Sequence, residues 1–267
     1  MTGTLVPVHG GLGTILFGIK TRLIGVGDNL VSLLLEGIKN EGLRLEDGDI
    51  VAITSKVVSV SQNRLVRFDT INPSERAKEL AAEYGLEPGF VEVVLQEADE
   101  VYGGVYRAIL TSKNGIMFAN SGIDHKNVPQ GFAVLLPENP DRDSTEIRRE
   151  IEKRVGKHVG VMLIDSRTVP LRMGTIGVAI GISGFNPIRD CRGKSDLYDK
   201  PLLITRLAVA DDLACAAHLV MGETTERIPM VLIRGAPVEF DESASIDAAR
   251  IDSKDCLYMR IFQPKPI

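Results

Sequence analysis

The 267-residue chain contains no tryptophan, and its aromatic content is only 5%. A platform of aromatic rings for stacking bases is therefore not expected. Cysteine is scarce as well: Cys191, Cys215 and Cys256 are far apart, odd in number and outside any CxxC pattern. That spacing argues against a disulfide framework or a zinc site and for a reducing, cytoplasmic setting. The four histidines, His9, His125, His158 and His218, are dispersed too, which removes a soft-metal cluster from consideration. Lysine and arginine form no run or stripe, and the net charge is −5. A general nucleic-acid binder is excluded on that balance. The start of the chain has no basic stretch followed by a long apolar one, as a secretory leader requires. Apolar runs such as residues 132–137 fall far short of the roughly 20 residues that span a bilayer.

What remains is an ordinary globular composition, 44% hydrophobic and 25% charged, long enough for one large domain or two small ones. Short strands are expected at residues 6–8 and 13–17. A helix follows, capped by Asp28 and carrying Leu30, Leu33, Leu34 and Ile38 on one face. Residues 50–53 read as a buried strand. Two amphipathic helices are expected next, one opened by Asn72-Pro73-Ser74 and one over residues 88–97. Residues 106–111 and 115–119 form a hairpin around Lys113-Asn114-Gly115. A charged helix over 145–156 is capped by residues 141–144. The apolar run 159–164 is a strand buried on both faces. The glycines at 174, 177, 181 and 184 imply a close backbone neighbour, whether a partner strand, a second subunit or a ligand. A strand at 202–207, a helix at 210–221 and a strand at 229–235 follow, with a short helix and a final strand in the tail. The fold class is mixed α+β, with mixed sheets and flanking helices. It is expected to be a single domain over 1–267, made of two interleaved, intimately packed subdomains.

Candidate chemistry sits at the ends of these elements. The loop Asn120-Ser121-Gly122-Ile123-Asp124-His125-Lys126-Asn127-Val128-Pro129 lies between two strand-like runs. Loops held by rigid scaffolds are where function concentrates. Asp124 is a hard oxygen ligand suited to Mg²⁺ or Mn²⁺, and Asn127 offers both a donor and an acceptor. The competing reading is a turn whose Asp and Asn side chains satisfy their own backbone. Asp165-Ser166 follows the strand at 159–164, and Glu223 follows the Gly222 helix stop. Ser55-Lys56 follows the strand at 50–53, a common place for a ligand in sheets of this kind. Gly10-Gly11-Leu12-Gly13 resembles a phosphate loop only weakly, since no Lys-Ser/Thr follows it and no long helix starts there, and a flexible hairpin turn is the better reading. Three hard-oxygen sites without a competing Cys/His cluster suggest a metal that takes further ligands from substrate phosphates.

Seven separated motifs carry a family resemblance: NPSERAKELA, NSGIDHKNVP, VMLIDS, GVAIGISG, DLY, VADDLACAAHLVMGE and RIPMVLIRG, in that order. Together they resemble the coenzyme F420-0:L-glutamate ligases from about residue 18 to 237. The resemblance implies an α+β fold of the family's own and a homodimer. It implies a reaction in which GTP and two divalent cations, Mg²⁺ or Mn²⁺, with K⁺ as a further candidate, drive the addition of L-glutamate to F420-0 through a γ-linked amide by way of an acyl phosphate. By the same resemblance Asp124 and Asp165 are catalytic and hold one ion, and Ser166 and Glu223 hold the second. Thr21, Arg22, Ser55, Lys56 and Asn127 contact the nucleotide. The chain departs from the family's pattern in places. Where the family runs Ser-Lys-Ala-Glu-Gly-Arg, this chain has Ser59-Val60-Ser61-Gln62-Asn63-Arg64. Where it has Gly-Arg-Pro-Trp-Arg, this chain has Thr168-Val169-Pro170-Leu171-Arg172. A lysine lost from a phosphate contact at Val60 costs on the order of 2–3 kcal/mol unless Lys56, Arg167 or Arg172 compensates. These departures keep open a ligase of the same fold with another carboxylate acceptor or nucleotide, and a non-catalytic nucleotide-binding protein.

Overall fold

The computed structural model describes residues 13–126 and 128–259. In chain order these form β1 (Ile15–Ile19), α1 (Leu30–Asn40), β2 (Ile50–Thr54), α2 (Ser55–Ser61), β3 (Leu65–Arg67), α3 (Glu75–Tyr84), α4 (Pro88–Glu97), β4 (Glu100–Val105), β5 (Ala108–Lys113) and β6 (Ile116–Ala119). They continue with β7 (Phe132–Val134), α5 (Pro140–Val155), β8 (Gly160–Arg167), β9 (Ile176–Phe185), β10 (Arg189–Asp190), β11 (Arg206–Leu207), α6 (Val209–Met221), β12 (Met230–Arg234) and β13 (Phe240–Asp241). The class is mixed α+β, as the alternation of apolar periods implies. Two units each have their own core. Among the described residues the first takes 13–61, 138–165 and 177–249, and the second takes 62–137, 166–176 and 250–259.

The first unit is built on a mixed sheet in the order β1-β12-β2-β8-β9-β13. β2 and β8 run parallel in register, from Ile50 opposite Gly160 to Thr54 opposite Ile164, and β12 runs antiparallel to both β1 and β2. Apolar residues on both faces make β2 and β8 central strands, since such a run is stable only when covered on each side. Ala52, Met162, Ile164, Val231 and Ile233 pack on one face with Leu213, Ala214 and Ala217 of α6. α1 lies on the opposite face: a Cβ on its Gly37 would come within 2.5 Å of Ile19 Cγ2, so glycine lets this helix seat against β1.

Several expectations are corrected here. The neighbours of the β9 glycines are helices of the same unit. A Cβ on Gly177 would lie 2.3 Å from the Ala214 carbonyl oxygen, and one on Gly181 2.4 Å from the carbonyl carbon of Pro140. β9 is further sealed by the helix carboxylates of Asp211 and Asp141, which accept from the Ala179 and Ile182 N–H groups. That is a way of closing sheet edges against stray pairing. Asn29, not Asp28, caps α1 by accepting from the Ser32 N–H, and Asn139 caps α5. Only Arg206 and Leu207 of the expected strand at 202–207 are strand, paired with β10, and Leu203 and Ile204 are exposed. Apolar residues there had no sheet face to cover. α2 was unforeseen because its Ser-Val-rich sequence is a poor helix former. Burial of Val58 supplies what propensity lacks.

The second unit has a three-stranded antiparallel sheet, β4-β5-β6, and a pair, β3-β7. α3 and α4 pack on it through Leu80, Ala81, Val91, Leu95, Val101 and Ile109. The β5–β6 turn places Asn114 at φ 51° and Gly115 at φ 73°, the paired positive angles that an Asn-Gly hairpin supplies. β4 lacks a strand signature in the sequence because Gly103 and Gly104 interrupt its pattern at a bulge. A second cluster joins Phe90, Val93 and Val94 of α4 to Ile123, Ala133 and Leu135. The expected strand at 6–8, most of the glycine turn at 10–13 and the last strand of the tail lie wholly or partly outside the described residues.

Candidate active site

One end of the first unit's sheet gathers most of the candidate residues. Ile19 ends β1 opposite Met230, which begins β12 and also faces Ile53 of β2. Thr54 ends β2 opposite Ile164 of β8. Continuing past these ends, Thr21-Arg22, Ser55-Lys56 and Asp165 therefore lie at the same edge. Glu223 opens the loop that returns to that end of β12. The Thr21 N–H extends the ladder by donating to the Arg227 carbonyl at 3.2 Å.

Ser55 is 3% exposed, and its hydroxyl donates to Asp165 Oδ1 at 3.1 Å. Lys56 and Asp165 are half-buried. Arg22 is 60% exposed and grips Asp28 through two nitrogens, at 2.6 and 2.8 Å. The guanidinium and the Gly25 N–H hold the Asp28 carboxyl down at about 2. Glu223 meets His218 Nε2 of the last turn of α6 at 2.7 Å. Gly222 makes this contact possible by turning the chain at φ 73°.

The second unit carries the Asp124 loop. Asn120, Ser121 and Gly122 form a short 3₁₀ turn with φ of 52°, 56° and 70°, three left-handed residues in a row. Buried polar contacts hold it: the Ser121 N–H donates to Thr111 Oγ1 at 2.8 Å and its hydroxyl to the Val94 carbonyl at 3.0 Å. Asn120 Oδ1 accepts from the Ile109 N–H. The backbone of Asp124 is tied to Val134 in both directions, and its Oδ1 accepts from the Lys126 N–H at 2.7 Å. The Asx-turn reading is therefore correct as local geometry. Ser166 follows Asp165 in β8, and strand alternation sends their side chains to opposite faces. Asn127 lies outside the described residues.

The chain matches the F420-0:Gamma-glutamyl ligase family over residues 18–235. It belongs to that family. A relative from Methanothermobacter thermautotrophicus, named coenzyme F420:L-glutamate ligase, is 38% identical over 228 residues, covering 85% of this chain and 90% of the relative. Proteins of the same name from Methanopyrus kandleri and Archaeoglobus fulgidus are 42% and 39% identical, covering 82% and 88% of this chain and 86% and 95% of theirs.

Within a ligase family, two of the local departures take on structural meaning. Asn63 stands where a glycine is expected and adopts φ 57°, the left-handed angle asparagine tolerates better than most residues. Asn63 thus turns the chain after α2. Val60 lies one helical turn beyond Lys56 on α2 and is half-buried. Among the described residues no group of three or more His, Cys, Asp or Glu side chains is placed to hold a metal ion by itself. The donors at the sheet end are hard oxygens, the chemistry that Mg²⁺ and Mn²⁺ prefer, and such ions characteristically take one or two carboxylates and complete their shell with water and phosphate. The residues fit an ion of that kind. His218 and Asp28 were not anticipated as parts of this edge. Their only signals were a histidine five residues before Glu223 across a glycine stop, and an acid six residues after Arg22.

Proposed function

We propose that this chain joins L-glutamate to coenzyme F420-0 through a gamma-glutamyl bond, using GTP and Mg²⁺ or Mn²⁺. The observation that carries the reading is the gathering of Thr21, Arg22, Ser55, Lys56, Asp165 and Glu223 at one sheet end in a chain of this family. The acceptor carboxylate attacks the γ-phosphorus of GTP and GDP leaves, giving an acyl phosphate. The glutamate amine then attacks the acyl carbon, and inorganic phosphate leaves as the amide forms and the amine sheds its proton. Lys56 supplies positive charge to the nucleotide phosphates, and Thr21, Arg22 and Asn127 complete the nucleotide contacts. Asp124 and Asp165 would hold one cation, and Ser166 and Glu223 the other. These cations would neutralise the charge that develops on the transferring phosphoryl group.

A same-fold ligase with another carboxylate acceptor or nucleotide is the second reading, favoured by Val60 on the helix that carries Lys56. The chain is further proposed to work as a cytoplasmic homodimer. The exposed Leu197, Tyr198, Leu203 and Ile204 between β10 and β11 support a self-association surface.

Incubating the purified protein with F420-0, L-glutamate, GTP and Mn²⁺ tests the proposal. Mass spectrometry should show F420-0 gaining a glutamyl residue as GDP and phosphate appear. Nucleotide hydrolysis only with some other acid would support the second reading, and nucleotide binding without turnover under any condition would remove the enzyme.

A further inference from the structure

We infer that Ser55 is a positioning residue for the Asp165 carboxylate and does not contact the nucleotide through its side chain. The inference rests on the proposed role of Asp165 as a metal ligand. Its origin is the register of the sheet. Thr54 of β2 and Ile164 of the parallel strand β8 are paired, so Ser55 and Asp165 are the next residues on two adjacent chains. The Ser55 hydroxyl reaches sideways along the sheet end and donates to Asp165 Oδ1 at 3.1 Å.

Two physical points set the role. A serine hydroxyl carries one proton. Phosphate oxygens, like carboxylate oxygens, are acceptors, so the proton given to Asp165 is withheld from a nucleotide. Ser55 is also only 3% exposed, while Asp165 is half-buried, so the carboxylate is the more outward of the two groups. The donor itself is rigidly mounted. Ser55 is the first residue of α2, and that helix is anchored by the fully buried Val58. A carboxylate oriented in this way by a neighbour on a rigid element is preorganised for a cation. Lys56, the next residue around the helix, is left as the side chain of this pair that faces the phosphates.

The test compares Ser55→Ala, Ser55→Cys and Asp165→Ala with the wild-type full chain. Mn²⁺ affinity is read from the electron paramagnetic resonance signal of free Mn²⁺, and GTP affinity is measured at limiting and at saturating Mn²⁺. Ser55→Ala is expected to weaken Mn²⁺ binding about 10- to 100-fold, the usual loss when the partner that orients a ligand is removed. GTP affinity should return to the wild-type value once Mn²⁺ is saturating. Ser55→Cys, which keeps a weak donor of similar size, should fall between, and it serves if the alanine variant does not fold. Wild-type Mn²⁺ affinity in Ser55→Ala, or a GTP defect that persists at saturating Mn²⁺, overturns the inference while Asp165→Ala still loses Mn²⁺. Wild-type Mn²⁺ binding by Asp165→Ala overturns the metal reading itself.

Discussion

Asp165 and Asp124 are held in contrasting ways. Asp165 extends from a parallel strand whose preceding residues are wholly apolar and buried, and a neighbouring side chain fixes its oxygen. Asp124 follows three consecutive left-handed residues and is fixed by backbone hydrogen bonds to Val134 and by its own Asx turn. In the first case the regular sheet does the positioning and carries no strain. In the second, an unfavourable backbone persists because buried polar contacts and packing over-determine it. A carboxylate can thus be placed by regularity or by constraint, and the two should respond differently to substitution.

The largest expected effect lies in the regular region. Gly177→Ala sets a methyl 2.3 Å from the Ala214 carbonyl oxygen, a backbone atom that cannot step aside without moving α6. Overpacking of this kind typically costs roughly 1–3 kcal/mol, and backbone contact puts this case at or above the upper end. A urea titration should show the midpoint falling with the slope unchanged. Gly122→Ala should come next. It combines φ of 70° with a Cβ 2.7 Å from Leu136 Cδ1, a side-chain atom that can give way in part. The left-handed backbone alone costs an alanine roughly 1–2 kcal/mol, and this variant should additionally weaken metal binding through Asp124. Ser121→Ala removes a buried hydroxyl from the Val94 carbonyl and should cost about 1–2 kcal/mol in thermal or chemical unfolding. If Gly122→Ala and Ser121→Ala change stability without changing Mn²⁺ affinity, the constraint around Asp124 is structural only.

The smallest effect concerns Asp28. Its folded pKa of about 2 lies below the ordinary 3.8, held there by Arg22. A depressed carboxyl stabilises the folded state fully above its unfolded pKa and loses that contribution as pH falls through the folded one. The Arg22 loop should therefore be indifferent to pH from 5 to 8 and loosen only between about 4 and 2. An NMR titration of the Asp28 carboxyl carbon, with Asp28→Asn as the control, checks this. A midpoint near 4 would show that the clasp does not persist in solution.

The contrast between the two carboxylates also explains what could be read from residues alone. β2, β8 and β12 were legible because runs such as Val159 to Ile164 leave no polar face, and α4 was legible through Pro88 and its apolar face. Ser55, Lys56 and Asp165 were legible as strand-end residues, because they follow apolar strands directly. Their partners were not. The Ser55–Asp165 bond depends on which strands pair and in what register, information that spans 110 positions of the chain. The Asp28–Arg22 clasp competed with helix capping, and Asn29 took the cap. The left-handed run at Asn120-Ser121-Gly122 is invisible in composition because only one of its residues is glycine. The glycines of β9 announced close approach, but not that helices would make it.

The most direct test of the central claim is the affinity for GTP, in the presence and absence of Mn²⁺, of Asp124→Ala and Asp165→Ala against wild type, with melting curves to confirm that each variant is folded. The account predicts that each substitution abolishes the Mn²⁺-dependent part of GTP binding and leaves the fold intact. A folded variant of either kind that binds GTP in Mn²⁺ as tightly as wild type would contradict it.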